Sequence, residues 1–242
     1  MKQLLDLYCG AGGAAVGYAR AGFNVVGVDI KEQPNYPFEF IRGDVFSLEP
    51  EFIDEFDIIH ASPPCQAYSY STVKHRNLGK EYPDLLDATR NLLIETGKPY
   101  VIENVVGAKL IKPLKLCGTM FNLRVIRHRL FEINSDKWIY PPCECNHVGH
   151  VYTGEYVCVV DGATTWANWR LSPEEKQASK QRYQEHLKRY VTGGGHGGNG
   201  SARYLDWCDA MQIDWMTKYE LTQAIPPAYT SWIGKLIIGT VN

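Results

Sequence analysis

A cysteine follows two prolines in Ser62-Pro63-Pro64-Cys65-Gln66, directly after the run Phe56-Asp57-Ile58-Ile59-His60-Ala61. The run reads as a buried strand, and the prolines fix φ on the approach to the thiol. Open α/β sheets carry their chemistry at the carboxyl ends of strands. A thiol at that place is a candidate nucleophile, although a lone cysteine is more often a buried structural residue. A second stretch, Asp6-Leu7-Tyr8-Cys9-Gly10-Ala11-Gly12-Gly13, follows an apolar run and opens a helical pattern. Its glycines permit a tight turn and a close backbone approach to a ligand. Asp29 ends the next strand about twenty residues on, where an acid holds ribose hydroxyls. Asp44, in Gly43-Asp44-Val45, is a further polar residue near an expected strand end. By itself the glycine loop fits a nicotinamide dinucleotide as well as adenosylmethionine, and a plain turn stays open.

The elements that must hold these residues alternate in kind. Strands are predicted over Lys2–Cys9, Asn24–Ile30, Phe56–Ala61 and Pro99–Val105, with helices over Ala14–Ala21 and Tyr82–Thr96. That alternation predicts an α/β fold, a mostly parallel sheet with helices on both faces. After Asn134 the pattern degrades. Ser172-Pro173-Glu174-Glu175 is a strong helix start, with Ser as cap and Pro at the first helical position, and the helix is expected to run to about Tyr190. Gly193 to Gly200 reads as a linker, and a helical pattern resumes at Ala202. The expected organisation is a core over 1–134, a small inserted lobe over 135–201, and a segment over 202–242 that completes the core.

Three stretches then combine. The glycine loop, Pro63-Pro64-Cys65-Gln66-Ala67-Tyr68-Ser69 and Glu103-Asn104-Val105 occur in order, each after a predicted strand. Together they resemble the signatures of the cytosine-C5 DNA methyltransferases: a D-L-F-x-G-x-G-G-like loop, P-C-Q-x-x-S and E-N-V. Arg127-His128-Arg129-Leu130-Phe131 is similar to the family's R-x-R-x-F element, and Ala224-Ile225-Pro226-Pro227-Ala228 to its closing A-V-P-P. The resemblance covers 1–134 and 202–238. It implies a Rossmann-like adenosylmethionine-dependent methyltransferase fold.

The chemistry implied by the resemblance accounts for the residue types. Cytosine C5 is a poor nucleophile, and a thiolate adding at C6 makes it an enamine carbon able to take a methyl group. Cys65 would be that thiolate. Glu103 would protonate N3, and a dry pocket favours its protonated form. Asn104 would fix the backbone beside the cysteine loop. Arg127 and Arg129 would hold the base O2 and a flanking phosphate, one of them also supporting Glu103. Tyr8, Cys9, Gly10, Ala11, Gly12 and Gly13 would cradle S-adenosyl-L-methionine, with Asp29 on the ribose, Ile30 and Pro63 against the cofactor, and Asp44 at the adenine amine. A cytosine in duplex DNA would have to be flipped out to reach this site. Val125, Asp84 and Thr222-Gln223 depart from the family pattern, where Gln, an apolar residue and Gly-Asn are usual.

The inserted lobe would read the target. Lys176, Lys180, Arg182, Lys188, Arg189 and Arg203 face one acid, Glu185, with His186, Tyr183 and Tyr190 between them. That pattern suits phosphate contacts, or else a solvated basic face. Cys143, Cys145, His147 and His150 offer soft ligands in eight residues. The spacing lacks C-x2-C and is cramped for zinc; loop thiols and imidazoles without a metal are the preferred reading.

The net charge of −2 excludes a global basic field, so any nucleic acid must be held locally. The seven cysteines are scattered, and no apolar run could span a bilayer. A cytoplasmic monomer acting on DNA, with no membrane partner, is the expectation. A tRNA cytosine-C5 methyltransferase, a nicotinamide oxidoreductase and a catalytically silent DNA-binding homologue are the alternatives. Amino-group methyltransferases place an aromatic residue after a similar Ser-Pro-Pro, where this chain has Cys65.

Overall fold

The computed structural model describes residues 1–134, 139–147, 156–157, 159, 172, 174, 177 and 200–239. Apart from Ser172, Glu174 and Gln177 the expected helix lies outside the described residues, as do 193–199 of the glycine linker, the basic residues Lys176, Lys180, Arg182, Lys188 and Arg189, His150 and the side chain of Arg203.

Among the described residues seven strands form one sheet in the order β3-β2-β1-β4-β5-β7-β6. They are β1 (Lys2–Leu7), β2 (Phe23–Asp29), β3 (Glu39–Arg42), β4 (Ile58–Ala61), β5 (Tyr100–Asn104), β6 (Leu114–Leu116) and β7 (Arg129–Ile133). The first five run parallel; at one edge β7 pairs antiparallel with β5, and β6 pairs antiparallel with β7. The fold is the Rossmann-like α/β arrangement expected from the sequence. The helices are α1 (Gly13–Arg20), α2 (Pro50–Asp54), α3 (Val73–Asn77), α4 (Leu86–Glu95), α5 (Gly200–Met211), α6 (Lys218–Gln223) and α7 (Pro227–Ile237). No helix among the described residues is long and apolar enough to cross a membrane.

Successive strand residues point to opposite faces, and both faces are covered. On one face Leu5, Leu7, Val26, Val28, Ile59, Ala61 and Ile102 join Ile53 of α2 and Leu86 and Leu93 of α4 in a single buried cluster. The same side carries Glu132, which takes Arg90 of α4 in a buried bidentate pair, Nε to Oε1 at 3.0 Å and Nη2 to Oε2 at 3.0 Å. Removing one partner of such a pair typically costs about 3–5 kcal/mol, because the other charge stays buried. On the opposite face Tyr18 of α1 packs at a tilt against His60, and Tyr229 of α7 meets Phe131 edge-on. This second face is unusual in its polarity: Asp6, His60 and Glu103 are all buried on it.

The chain forms two compact units. The first holds 1–116, 128–143 and 224–242; the second holds 117–127 and 144–223. The expected boundaries at 134 and 201 differ from this division. Helices α5 and α6 group with the second unit, where Asp206 and Asp209 of α5 pair with Arg124 at 3.5 and 3.1 Å.

Candidate active site

The strand order reverses between β1 and β4, and ligands of open α/β sheets bind at the carboxyl ends flanking that reversal. Leu7, Ala61 and Ile102 lie in register at this edge. The glycine loop therefore leaves β1, and Ser62-Pro63-Pro64-Cys65 leaves β4, on either side of one crevice. Glu103 and Asn104 end β5 beside it. Because β7 is antiparallel, its first residue Arg129 returns to the same edge, next to the Asn104–Leu130 pair.

The glycine loop is shaped by backbone. Tyr8, Gly10 and Gly12 all have left-handed φ, at 56°, 49° and 84°. At Gly12 a Cβ would also meet Pro37 Cδ at 2.7 Å, so both conformation and space require glycine. Gly13 answers to packing: a Cβ there would lie 2.5 Å from the main-chain oxygen of Ile225. The Ala224-Ile225-Pro226-Pro227 segment thus closes on the loop from behind. Gly10 faces open space, and a Cβ there would meet nothing within 4 Å. Its N–H donates to Asp29 Oδ2 at 3.1 Å, and Lys31 N–H to Oδ1 at 2.9 Å. Ile30, an apolar side chain next to Asp29, is 62% exposed. Asp44 accepts the Phe46 N–H at 3.1 Å and leaves Phe46 exposed. A carboxylate, an uncovered apolar face and an open loop backbone suit a nucleoside-bearing methyl donor, so these residues fit adenosylmethionine. Cys9 is buried, and burial, reinforced by Asp6 and Asp29, pushes its thiol up, which keeps it protonated and inert.

The thiol side is built from side chains. Cys65 is half-buried, and its carbonyl accepts the N–H groups of Tyr68 and Ser69 at 3.0 and 2.9 Å. Arg76 of α3 donates to the carbonyls of Gln66 and Ser69 at 2.8 and 3.0 Å, stapling the turn that Cys65 begins. Asn104 donates from Nδ2 to the Pro63 carbonyl at 3.0 Å and accepts the Val105 N–H at 2.9 Å, tying the end of β5 to the double proline. Glu103 is buried, and Arg129 Nε lies 2.9 Å from its Oε1, near enough for an ion pair though not aligned as a hydrogen bond. Arg127 belongs to the second unit, where it is buried and donates to the carbonyls of Val159 and Thr222 at 3.3 and 2.6 Å. Thr222 thereby uses its main chain, so its departure from the family pattern leaves that bond intact. Asp84 accepts from the Tyr68 hydroxyl and caps the Leu86 N–H.

Residues 2–116 match the family model of the C-5 cytosine-specific DNA methylases. Over this segment the chain is similar to the cytosine-C5 DNA methyltransferases. The type II methyltransferase M.AquIA of Picosynechococcus is 29% identical over 163 residues, covering 53% of this chain and 64% of that protein. M.NlaX of Neisseria lactamica is 28% identical over 114 residues, covering 43% of this chain and 36% of that protein. The chain thus spans less than two thirds of the length of these curated relatives. In fold it is similar to an E. coli prophage protein assigned as a DNA modification methyltransferase, with a TM-score of 0.59, 16% identity and 99% of each chain covered.

Sequence reasoning missed a buried polar chain beneath the cysteine. The Tyr18 hydroxyl lies 3.0 Å from His60 Nδ1, and His60 Nε2 lies 2.9 Å from Ser62 Oγ. Burial lowers the His60 pKa to about 3, so the imidazole is neutral. A neutral ring donates from one nitrogen and accepts at the other, and the two hydroxyls satisfy both. The available signal was a histidine inside an otherwise apolar strand. Arg76 was missed as well, because its partners are carbonyls, which leave no trace in sequence.

Proposed function

We propose that the protein transfers a methyl group from S-adenosyl-L-methionine to C5 of a flipped-out cytosine in DNA. The observation that carries this reading is the meeting of Cys65, Glu103 and Arg129 at the strand edge that also bears the open Gly10 loop. The bound sulfonium would supply an electrophilic methyl group.

Cys65 adds through sulfur to C6 of the ring, and the Sγ–C6 bond forms as the electron pair of the C5–C6 double bond moves toward N3 and O2. Glu103 gives its proton to N3, leaving a neutral enamine whose C5 takes the methyl group. Arg129 holds the Glu103 carboxyl group in place, and its positive charge offsets the carboxylate once the proton has left. Loss of the C5 proton, with water as acceptor, re-forms the C5–C6 double bond as the Sγ–C6 bond breaks and frees the thiolate, and N3 returns its proton to the Glu103 carboxylate. Asn104 and Arg76 fix the turn that aims Cys65, and Asp29 holds the glycine loop open for the cofactor ribose.

A pool of random-sequence DNA carrying 5-fluorocytosine tests this reading, because fluorine at C5 blocks the final elimination. With adenosylmethionine present, a covalent complex that survives a denaturing gel is expected from the full chain and none from Cys65→Ala. Absence of an adduct with DNA would overturn the mechanism or the substrate. The same experiment on 5-fluorocytosine RNA separates the two: an adduct on RNA alone keeps the mechanism and moves the substrate to RNA.

A further inference from the structure

Three soft ligands of the second unit converge. Cys117 Sγ lies 3.4 Å from His147 Nε2, and Cys145 Sγ joins them with all three atoms within 4.8 Å of one another. Cys117 is fully buried, Cys145 half-buried and His147 exposed. We propose that Cys117, Cys145 and His147 bind a structural zinc ion that joins the 117–127 segment to the 144–147 segment.

The geometry supports a metal over a bare polar contact. Zinc sits about 2.3 Å from thiolate sulfur and about 2.0–2.1 Å from imidazole nitrogen, which sets tetrahedral S···N edges of about 3.5 Å and S···S edges of about 3.8 Å. The observed 3.4 Å matches such an edge. A thiol–imidazole hydrogen bond has a similar length, but it uses one pair and gives no reason for a second thiol to enter the same small volume. Two thiolates and an imidazole are the set that selects zinc among common divalent ions. Thr119 Oγ1 donates to Cys117 Sγ at 3.4 Å, the outer hydrogen bond that a metal-bound thiolate accepts.

The ligand set differs from the cluster singled out in the sequence. Cys143 is exposed and assigned to the other unit, and His150 lies outside the described residues. Cys117 takes part instead, from a buried turn far upstream in the chain. The cramped C-x-C-x-H spacing that argued against zinc is thereby relieved, because only Cys145 and His147 of that cluster are used. The role is structural: the unit is assembled from separate stretches of chain, and a metal joining them stabilises it without a large core.

The test is metal analysis of the full chain purified without chelator, followed by cobalt titration of the metal-free protein. About one zinc per chain is expected, with cobalt giving the intense visible bands of tetrahedral thiolate coordination. Wild-type protein that retains no zinc and shows no such bands would overturn the proposal, whatever the variants do. Cys145→Ser and His147→Ala are expected to lose the metal, and Cys143→Ser to keep it; the opposite pattern would also overturn it. Chelator should lower the melting temperature of the wild type and leave that of Cys145→Ser unchanged.

Discussion

The β1/β2 end and the β4/β5/β7 end of the sheet share one edge and are built on different principles. At the β1/β2 end the working parts are main chain: left-handed residues, an open Gly10, and Asp29 accepting N–H groups from Gly10 and Lys31. At the β4/β5/β7 end they are side chains, each held by another group: Asn104 on Pro63, Arg129 beside Glu103, Arg76 on the carbonyls of Gln66 and Ser69. The two cysteines show the contrast most directly. Cys9 is buried in the loop with its thiol pushed up, whereas Cys65 stands half-buried on a stapled turn. A backbone cradle suits recognition of a ligand by shape, which tolerates small errors. A pinned constellation suits placement of one reacting atom, which does not.

The largest effect should therefore fall at the pinned end. Glu103→Gln keeps the shape and loses the transferable proton, and methyl transfer to DNA should drop by about 10²–10⁴-fold. Adenosylmethionine affinity, measured by calorimetry, should stay within a few-fold of wild type, because Glu103 belongs to the other end. A variant that methylates at near the wild-type rate would remove Glu103 from the chemistry and break the contrast. The next effect belongs to the cradle. Asp29→Ala removes a charged acceptor worth about 1.5–3 kcal/mol, so the dissociation constant for adenosylmethionine should rise by about ten- to a hundredfold. Single-turnover transfer at saturating cofactor should be nearly unchanged. If the rate falls while affinity holds, the two ends are not separable in this way.

How much of this was legible depended on what carries each part. The parallel strands β1, β2, β4 and β5 were readable because they are largely buried on both faces and so nearly continuous in apolar residues. Three-residue β6 and the largely uncovered β3 were not, since neither carries a continuous apolar run. Residues 127–131 were read as the R-x-R-x-F element, yet 129–131 also begin strand β7, whose antiparallel direction is what delivers Arg129 to Glu103. Gly13 read as a ligand glycine and owes its identity to the Ile225 carbonyl as well. Contacts with main-chain oxygen, such as those of Arg76 and Arg127, depend on the fold and not on the partner's residue type. The second unit was least legible, because its segments meet across distant stretches of chain.

The smallest effect tests the layer beneath the pinned end. His60 is held neutral by burial between Tyr18 and Ser62, with a pKa lowered to about 3, whereas an unfolded imidazole titrates near about 6.5. As pH falls below about 6.5 the unfolded chain binds this proton first, so stability should decline toward about pH 3 and be flat above neutrality. Asp6, its neighbour on β1, acts with the opposite sign. Its carboxyl is raised by burial, so the folded chain keeps that proton to higher pH, and its contribution is lost as pH rises through the folded value. The two partly offset in acid, which makes the comparison with His60→Gln necessary. The variant should be less stable near neutrality, because the buried Tyr18 hydroxyl and the half-buried Ser62 hydroxyl lose their partner, yet it should lose less stability than wild type between about pH 7 and about pH 4. Denaturant unfolding at the two pH values measures this directly. Equal losses in the two proteins would mean that His60 is not held neutral, and that the turn bearing Cys65 rests on some other support.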